Sequence, residues 1–228
     1  MIKQAIIPLA GLGTRLLPLT SVFAKELLPI NGKPGIEYIL DECIEAGIKE
    51  VIFIISKKKL MIKKYFYNDK FYQNIIKQKK DLRIIKEYKK ILKYKKMIKF
   101  VFQDKPLGTG DAVFKTKKLI KDNFFLMLLP DDLIIKKNCS KSMISIHKKF
   151  NSSVMASMRV NKDEVSRWGI YNIKKKIDNM NFIIKSVVEK PSTKQAPSNN
   201  AVIGRYILPK TIFDKLSNLK PSKGGEIH

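Results

Sequence analysis

The chain has 228 residues, 44% of them hydrophobic, and carries a formal net charge of +26 at pH 7. A chain of this length and apolar content can bury the core of one substantial globular domain. Its apolar runs are too short and too often interrupted by charged residues to cross a bilayer, and its N-terminus lacks the order of basic, apolar and small residues of a signal peptide. Composition therefore argues against a membrane protein, and we expect a cytoplasmic chain.

The excess positive charge comes almost entirely from lysine. Arginine occurs only at positions 15, 83, 159, 167 and 205. Proteins that read phosphates and bases usually favour the planar arginine fork and interleave it with aromatic side chains. Together with the many Ile, Asn and Phe residues, the lysines match the bias of an AT-rich coding sequence. We therefore expect a solvated basic surface and no specific nucleic-acid partner.

The two cysteines, Cys43 and Cys139, are far apart in sequence and not in the CxxC spacing of zinc or redox sites. Their number and spacing do not indicate a disulfide framework either. We expect both thiols to be reduced and to have structural roles.

The first 150 residues alternate apolar strands with helices. Continuous apolar runs predict strands at 3–10, 51–56, 98–103 and 123–130. Apolar residues at helical spacing predict helices at 35–47, at 110–120 and, two or three of them, within the lysine-rich stretch 57–99. Buried strands separated by helices predict a Rossmann-like α/β fold, with a mixed, mainly parallel sheet covered on both faces.

The pattern changes after residue 150. Four strand-like segments follow, at 152–160, 168–174, 182–190 and 199–208, and then a short helix at 210–219. Such closely spaced strands are typical of antiparallel pairing. We expect them to extend the same sheet with an antiparallel portion, so that residues 1–228 form one domain.

The stretch AGLGTRLLP, residues 10–18, places two glycines, a threonine and Arg15 in one loop directly after the first predicted strand. It lacks the Gly-Lys-Ser/Thr end of a P-loop, and Leu16 stands where a dinucleotide fingerprint has its third glycine. What remains is a turn that lets the backbone approach a nucleotide closely, with Arg15 directed at the phosphates. Taken alone, the loop indicates only a tight turn with a surface arginine.

A second block, AKELLPINGKP at residues 24–34, places Lys25 ten residues after Arg15, so that two cations can converge on one polyphosphate. Together the two blocks resemble the sugar nucleotidyltransferases, which join a nucleoside triphosphate to a sugar 1-phosphate. Ala24 departs from the family pattern, which usually has proline before this lysine.

Four further blocks narrow the resemblance. They are FQDKPLGTGDAV at 102–113, LPDDLI at 129–134, VVEKP at 187–191 and APSNNAVIGRYIL at 196–208. In this order they resemble the bacterial UTP–glucose-1-phosphate uridylyltransferases, and the resemblance extends over residues 2–227. It implies a nucleotidyltransferase fold of the glycosyltransferase-A-like type, a homo-oligomer, and the conversion of UTP and glucose 1-phosphate to UDP-glucose and pyrophosphate.

The resemblance also implies roles for individual residues. The nucleotide would be bound by Ala10, Gly11, Gly13, Thr14, Gln103 and Gly108, the last two beside the uracil ring. The glucose would lie beside Gly169 and Glu189, its phosphate on Lys190, and Mg²⁺ on Asp131, a carboxylate that suits a hard cation. The catalytic groups would be Arg15, Lys25 and Lys190.

Each block also has a plainer interpretation. The glycines after Gln103 fit an ordinary turn between a strand and a helix. Glu189 and Lys190 fit a solvated pair at the end of a strand, where neighbouring side chains point to opposite faces. For Asp132 we favour a turn or helix-capping role over metal binding, and for Trp168 packing over stacking on sugar.

The implied reaction needs no protein base, because the phosphate of glucose 1-phosphate is already ionised at neutral pH. Positioning and charge neutralisation would then carry the catalysis. Two alternatives stay open: a thymidylyltransferase that uses dTTP and shares the opening loop, and a catalytically impaired remnant that binds a nucleotide sugar without turnover. Lysine-driven polyanion binding is a weaker alternative, which strong salt dependence would reveal.

The sequence ends in PSKGGEIH, residues 221–228. In the family, the Gly-Glu-Ile motif leads into a further helix and the remaining sheet, and the second metal-binding aspartate lies beyond that point. We therefore expect a domain that lacks its C-terminal part, in which the family's oligomer contacts are incomplete.

Overall fold

The structure is a computed structural model that describes residues 1–220, so the final motif PSKGGEIH lies outside the described residues. The elements up to residue 130 are β1 (Gln4–Pro8), β2 (Pro29–Ile30), β3 (Lys33–Pro34), α1 (Gly35–Glu45), β4 (Glu50–Ile55), α2 (Leu60–Tyr67), α3 (Asp69–Lys79), α4 (Leu82–Lys95), β5 (Ile98–Phe102), α5 (Gly108–Phe114) and β6 (Phe124–Leu128). They are followed by α6 (Cys139–Phe150), β7 (Val154–Arg159), β8 (Gly169–Lys176), β9 (Phe182–Glu189), β10 (Asn200–Pro209) and α7 (Ile212–Ser217).

The main sheet has the strand order β5-β4-β1-β6-β10-β8-β9, with β7 paired to β10. β1 pairs in parallel with β4 and β6, and β4 pairs in parallel with β5. β10 runs antiparallel to β6, β7 and β8, and β8 and β9 form an antiparallel pair. The predicted mixed sheet, with the later strands added to it in antiparallel order, is confirmed.

The core lies on both faces of the parallel strands, because their side chains alternate between two apolar layers. On one face Ile7 and Phe53 belong to the cluster that includes Ile36 of α1. On the other face Ile6 packs in a second cluster with Phe213 of α7. Burial of both faces explains why these strands read as continuous apolar runs in the sequence.

The lysine-rich stretch forms three helices, α2, α3 and α4, as predicted. Carboxylates of α1 bind this layer: Lys90 of α4 pairs with the buried Glu37 at 2.5 Å, and the Tyr94 hydroxyl donates to Asp41 at 2.6 Å. Burial and the nearby Asp41 carboxylate raise the pKa of Tyr94, so its hydroxyl stays protonated as the donor. Many of the other lysines of these helices are exposed to solvent.

The helix predicted over 110–120 is shorter than expected and begins earlier, because α5 spans Gly108–Phe114. A hydrogen bond made by Thr116 explains why α5 ends there. The buried Thr116 hydroxyl donates to the Val113 carbonyl at 2.7 Å, a local bond that competes with continuation of the helix. Within residues 1–220, every helix is too short or too polar to serve as a membrane span.

Candidate active site

A cavity of about 410 Å³ opens at the carboxyl ends of the parallel strands. This edge is where open α/β sheets bind their ligands. Eight of the residues assigned to the site by sequence line the cavity: Ala10, Gly11, Gly13, Thr14, Lys25, Gln103, Gly108 and Asp131. The chain thus brings together segments that are about 100 residues apart.

The glycine loop after β1 is held in a shape that requires glycine at one position. Gly13 has φ +70, which L side chains rarely adopt, and a Cβ there would lie 3.0 Å from the Thr20 Cγ2 atom. The Thr20 hydroxyl donates to the Gly13 carbonyl at 2.9 Å. Arg15 follows in a 3-10 turn (Thr14–Leu16), where it is exposed and lies outside the cavity lining.

A cation and a carboxylate meet at the cavity. Lys25 Nζ lies 3.1 Å from Asp131 Oδ2, and the Asp131 side chain is 55% exposed while that of Lys25 is 23% exposed. Lys25 begins a short 3-10 turn (Lys25–Leu27), and Asp131 lies in the loop after β6. The pair therefore offers a positive group for a phosphate and a carboxylate for a cation, within one opening.

Next to Lys25 in the chain, Glu26 forms a buried ion pair that could not be predicted from the sequence. Lys59 Nζ donates to both Glu26 oxygens, at 2.8 and 2.9 Å, with side chains only 8% and 1% exposed. Burial lowers the pKa of Lys59, although Glu26 opposes the shift. Because Lys59 ends a turn just after β4, the pair joins that strand end to the turn that carries Lys25. The sequence signal was a glutamate next to the assigned lysine, without any indication of its partner.

Gln103 lies at the inner wall of the cavity and is 5% exposed. Its Nε2 donates to the Gly108 carbonyl at 3.0 Å and to Asp111 Oδ2 at 2.8 Å. Both amide hydrogens are thus used within the protein. The oxygen Oε1 is the group of this side chain that is left to accept a hydrogen bond from a ligand.

The residues assigned to the sugar lie outside the cavity lining, on β8 and β9. Gly169 pairs in register with Glu189, and a Cβ at Gly169 would lie 3.0 Å from Glu189 Oε2. The side chains of Glu189 and Lys190 are 72% and 59% exposed, with 3.9 Å between Lys190 Nζ and Glu189 Oε1. Lys190 has φ 45, and its backbone N–H donates to the Trp168 carbonyl at 3.0 Å. Trp168 itself packs against the cluster of Val165, Ile170 and Ala201, as expected of a packing residue.

Asp132 does not cap a helix, so that part of the interpretation favoured from sequence is corrected, whereas its position in the loop after β6 agrees with the turn role. Its Oδ2 accepts a hydrogen bond of 2.6 Å from the Gly204 backbone N–H on β10. The carboxylate therefore links the loop after β6 to the neighbouring strand. The sequence could not predict this bond because the two residues are 72 positions apart.

Within residues 1–220, no three His, Cys, Asp or Glu side chains form a group that could hold a metal ion by themselves. Glu26 also lines the cavity, but both of its oxygens accept from Lys59. Asp131 is thus the carboxylate left at the opening. A single carboxylate fits Mg²⁺, which is commonly held by one or two carboxylates together with substrate phosphates and water.

A family model described as nucleotidyl transferase matches residues 4–228, nearly the whole chain. The chain belongs to the nucleotidyl transferase family. A relative from Methanocaldococcus jannaschii, named as a putative UTP–glucose-1-phosphate uridylyltransferase, is 37% identical over 100% of this chain and 79% of its own length. UTP–glucose-1-phosphate uridylyltransferase 2 of Staphylococcus saprophyticus is 36% identical over 99% of this chain and 78% of its own length. These relatives confirm the resemblance drawn from the sequence blocks.

Solved structures with similar folds agree with these relatives. A UDP-glucose pyrophosphorylase complexed with UDP-glucose superimposes with a TM-score of 0.84 at 36% identity, covering 100% of this chain and 83% of that one. A UTP-bound UGPase from Acinetobacter baumannii gives a TM-score of 0.87 at 33% identity, covering 96% of this chain and 78% of that one. A putative glucose-1-phosphate thymidylyltransferase from Bacillus anthracis, at 22% identity and a TM-score of 0.75, shares the fold.

Proposed function

We propose that this nucleotidyl transferase moves a uridylyl group from UTP to glucose 1-phosphate, giving UDP-glucose and pyrophosphate. The proposal rests mainly on the Lys25–Asp131 pair, in which 3.1 Å separates Nζ from Oδ2. This pair lies at a cavity that the glycine loop also lines. The relatives named as uridylyltransferases and the structures with UDP-glucose or UTP support the choice of substrates.

Different residues of the cavity bind different parts of the nucleotide. Backbone groups of Gly11 and Gly13 approach the phosphates, since Gly11 has open space around it and Gly13 takes a conformation that excludes a side chain. Gln103 Oε1 accepts from the ring N–H of uracil, because its amide hydrogens are held by Gly108 and Asp111. Thymine presents the same N–H, so this contact alone does not separate UTP from dTTP.

The reaction is an in-line displacement at the α-phosphorus. An ionised oxygen of glucose 1-phosphate forms the new P–O bond, and the bond from the α-phosphorus to the bridging oxygen breaks, with its electron pair leaving on pyrophosphate. Lys25, and Arg15 from the neighbouring loop, neutralise the charge that builds up on the phosphates. No proton has to be removed from the nucleophile, and so the site needs no base.

Asp131 is the residue that would hold Mg²⁺, as the residues at the cavity fit such an ion. When bound, the ion would supply positive charge that stabilises the substrate phosphates. Lys25 lies within hydrogen-bond distance of the same carboxylate, which holds the Asp131 side chain in place at the opening.

The sugar phosphate enters from the antiparallel side. Lys190 binds the phosphate of glucose 1-phosphate, and Glu189 accepts hydrogen bonds from the glucose hydroxyls. The ring would lie beside Gly169, whose missing side chain leaves room for the Glu189 carboxylate, since a Cβ there would meet both Glu189 and Val187. The exposure of Glu189 and Lys190 makes them accessible to a ligand that arrives from solvent.

The proposal is tested by measuring pyrophosphate release with Mg²⁺, UTP and glucose 1-phosphate, while circular dichroism verifies that the chain is folded. We expect release with UTP, and slower release when dTTP replaces it. Preference for dTTP would make the chain a thymidylyltransferase. A folded chain that binds UDP-glucose by calorimetry but releases no pyrophosphate from either nucleotide would be a binding remnant, and the proposed activity would be wrong.

A further inference from the structure

A fully buried arginine, Arg205 on β10, lies behind the loop that carries Asp131. Its guanidinium pairs with Glu42 of α1: Nε lies 3.1 Å from both carboxylate oxygens, and Nη2 lies 2.8 Å from Oε2. Glu42 is held in turn by Ser140, whose backbone N–H and hydroxyl donate to it at 3.1 and 2.5 Å. The charge of Arg205 is therefore compensated on the side that faces the core.

The other side of the guanidinium binds the loop. Nη1 donates to the carbonyls of Leu129 at 3.1 Å and Gly204 at 2.9 Å, and Nη2 donates to the Asp132 carbonyl at 2.7 Å. With the bonds to Glu42, all five N–H groups of the guanidinium have acceptors. Leu129 and Asp132 flank Asp131 in sequence, so one side chain connects both ends of the turn that presents the carboxylate.

β10 adds two further bonds to the same turn. The Leu129 N–H donates to the Gly204 carbonyl at 2.8 Å, and the Gly204 N–H donates to Asp132 Oδ2 at 2.6 Å. A Cβ at Gly204 would lie only 2.4 Å from the Leu129 Cβ, so this close approach requires glycine. The turn is thus fixed against β10 through its backbone as well as through Arg205.

Stability alone does not account for this arginine. A buried ion pair can often be replaced by apolar side chains of similar size without loss of stability. An apolar side chain, however, cannot donate to two carbonyls, and lysine concentrates its three donors on a single atom. Only the planar fork of arginine can bind a carboxylate and both ends of the turn at the same time.

We propose that Arg205 is a positioning residue, which fixes the Asp131 carboxylate at the cavity, beside Lys25, by binding the carbonyls of Leu129 and Asp132. The role given to Asp131 rests on the proposed function. Arg205 itself is fully buried and lies outside the cavity lining. Loss of its bonds should therefore displace Asp131 while leaving the residues that bind glucose 1-phosphate in place.

The test uses Arg205→Lys and the double variant Glu42→Met/Arg205→Met in the full chain. The double variant removes the buried charges together, so that the fold is retained even where the lysine variant fails to fold. Ile91→Ala, in the buried part of α4, serves as a control that lowers stability far from the loop. For each protein we would measure urea unfolding, kcat, KM for glucose 1-phosphate and the Mg²⁺ concentration for half-maximal rate.

We expect kcat of the Arg205 variants to fall about 100-fold and the required Mg²⁺ concentration to rise about tenfold, as for other groups that orient a metal ligand. KM for glucose 1-phosphate should change by less than a factor of about 2, because its proposed ligands lie on other strands. The double variant should show these changes with near-normal stability, and Ile91→Ala should show lower stability without them. A double variant with normal kcat and Mg²⁺ dependence would overturn the proposal.

Hydrogen exchange of residues 129–132 provides a measurement that does not depend on activity. In the Arg205 variants we expect faster exchange in this segment than in β4, and in Ile91→Ala no such local change. If the wild-type chain releases no pyrophosphate, the proposed function fails, and the exchange result still decides whether Arg205 fixes the turn. Unchanged exchange at residues 129–132 in the double variant would refute that role.

Discussion

The proposed site residues are bound to neighbouring groups in the parallel half of the sheet and exposed to solvent in the antiparallel half. In the parallel half, the groups at the cavity are bound to one another: Lys25 to Asp131, and Gln103 to Gly108. In the antiparallel half, the assigned Lys190 projects into solvent at the end of β9 and makes one long ion contact, 3.9 Å to Glu189. One half of the site is therefore preformed, and the other presents accessible side chains.

The difference follows from how each half is buried. The parallel strands are covered on both faces, so polar groups at their carboxyl ends emerge from a packed core and must find partners. β9 forms the edge of the sheet, and most of its residues are exposed. We conclude that substitutions in the parallel half should affect stability or turnover, whereas those in the antiparallel half should affect mainly the binding of the sugar phosphate.

The largest effect is expected for Lys59→Met, in the parallel half. The substitution leaves Glu26 buried without its partner, so the free energy of unfolding should fall by about 3–5 kcal/mol. Urea denaturation measures the change. The double variant Glu26→Met/Lys59→Met removes both charges and should recover most of the stability. Wild-type stability in the single variant would show that the pair does not hold this half together.

Lys25→Ala should affect turnover and not stability. We expect kcat to fall about 10²–10³-fold, because a charge that stabilises the leaving phosphates is lost. UDP-glucose affinity should change by less than about tenfold, which calorimetry would measure. Lys57→Ala is a matched control, since Lys57 is 78% exposed and pairs with Asp104 at 3.4 Å. An unchanged kcat in Lys25→Ala would remove Lys25 from the mechanism.

In the antiparallel half, Gly169→Ala should raise KM for glucose 1-phosphate about tenfold, roughly the energy of one or two lost hydrogen bonds. The added Cβ would lie 3.0 Å from Glu189 Oε2 and 3.2 Å from Val187 Cγ1, which displaces the carboxylate proposed to bind glucose. Stability should change little, because Glu189 is exposed and can move. Lys185→Ala, on the neighbouring strand β9 that also carries Glu189, is the control. A loss of kcat with an unchanged KM would contradict the division between the halves.

The fold could be predicted because apolar runs and their spacing report burial directly. The strands at β4 and β6 were predicted within two residues of their bounds for this reason. The hairpin of β2 and β3 was missed, although its Asn31-Gly32 turn carries a known hairpin signal, with φ values of 50 and 74. Its strands have only two residues each, too few to show an alternating pattern.

The site was predictable only where a motif is local. The glycine loop and Lys25 lie in short blocks, and the structure brings them to one cavity with Asp131. The buried pairs could not be predicted, because Glu26 and Lys59 are 33 positions apart and Glu42 and Arg205 are 163 apart. An apolar pattern says which positions are buried, but it does not say which charges meet there.

The smallest effect is expected for chemical labelling of the thiols. Labelling measures whether solvent reaches the interior of the parallel half. Cys43 of α1 is buried, and burial and the Glu42 charge raise its pKa; burial likewise raises the pKa of Cys139. Because both pKa values are raised, each thiol stays protonated at pH 8. It therefore reacts more slowly than a free cysteine. Iodoacetamide should therefore label Cys43 in urea and leave it unmodified in buffer, as mass spectrometry would show. Equal rates of labelling under both conditions would mean that α1 opens readily, and that the parallel half is not preformed.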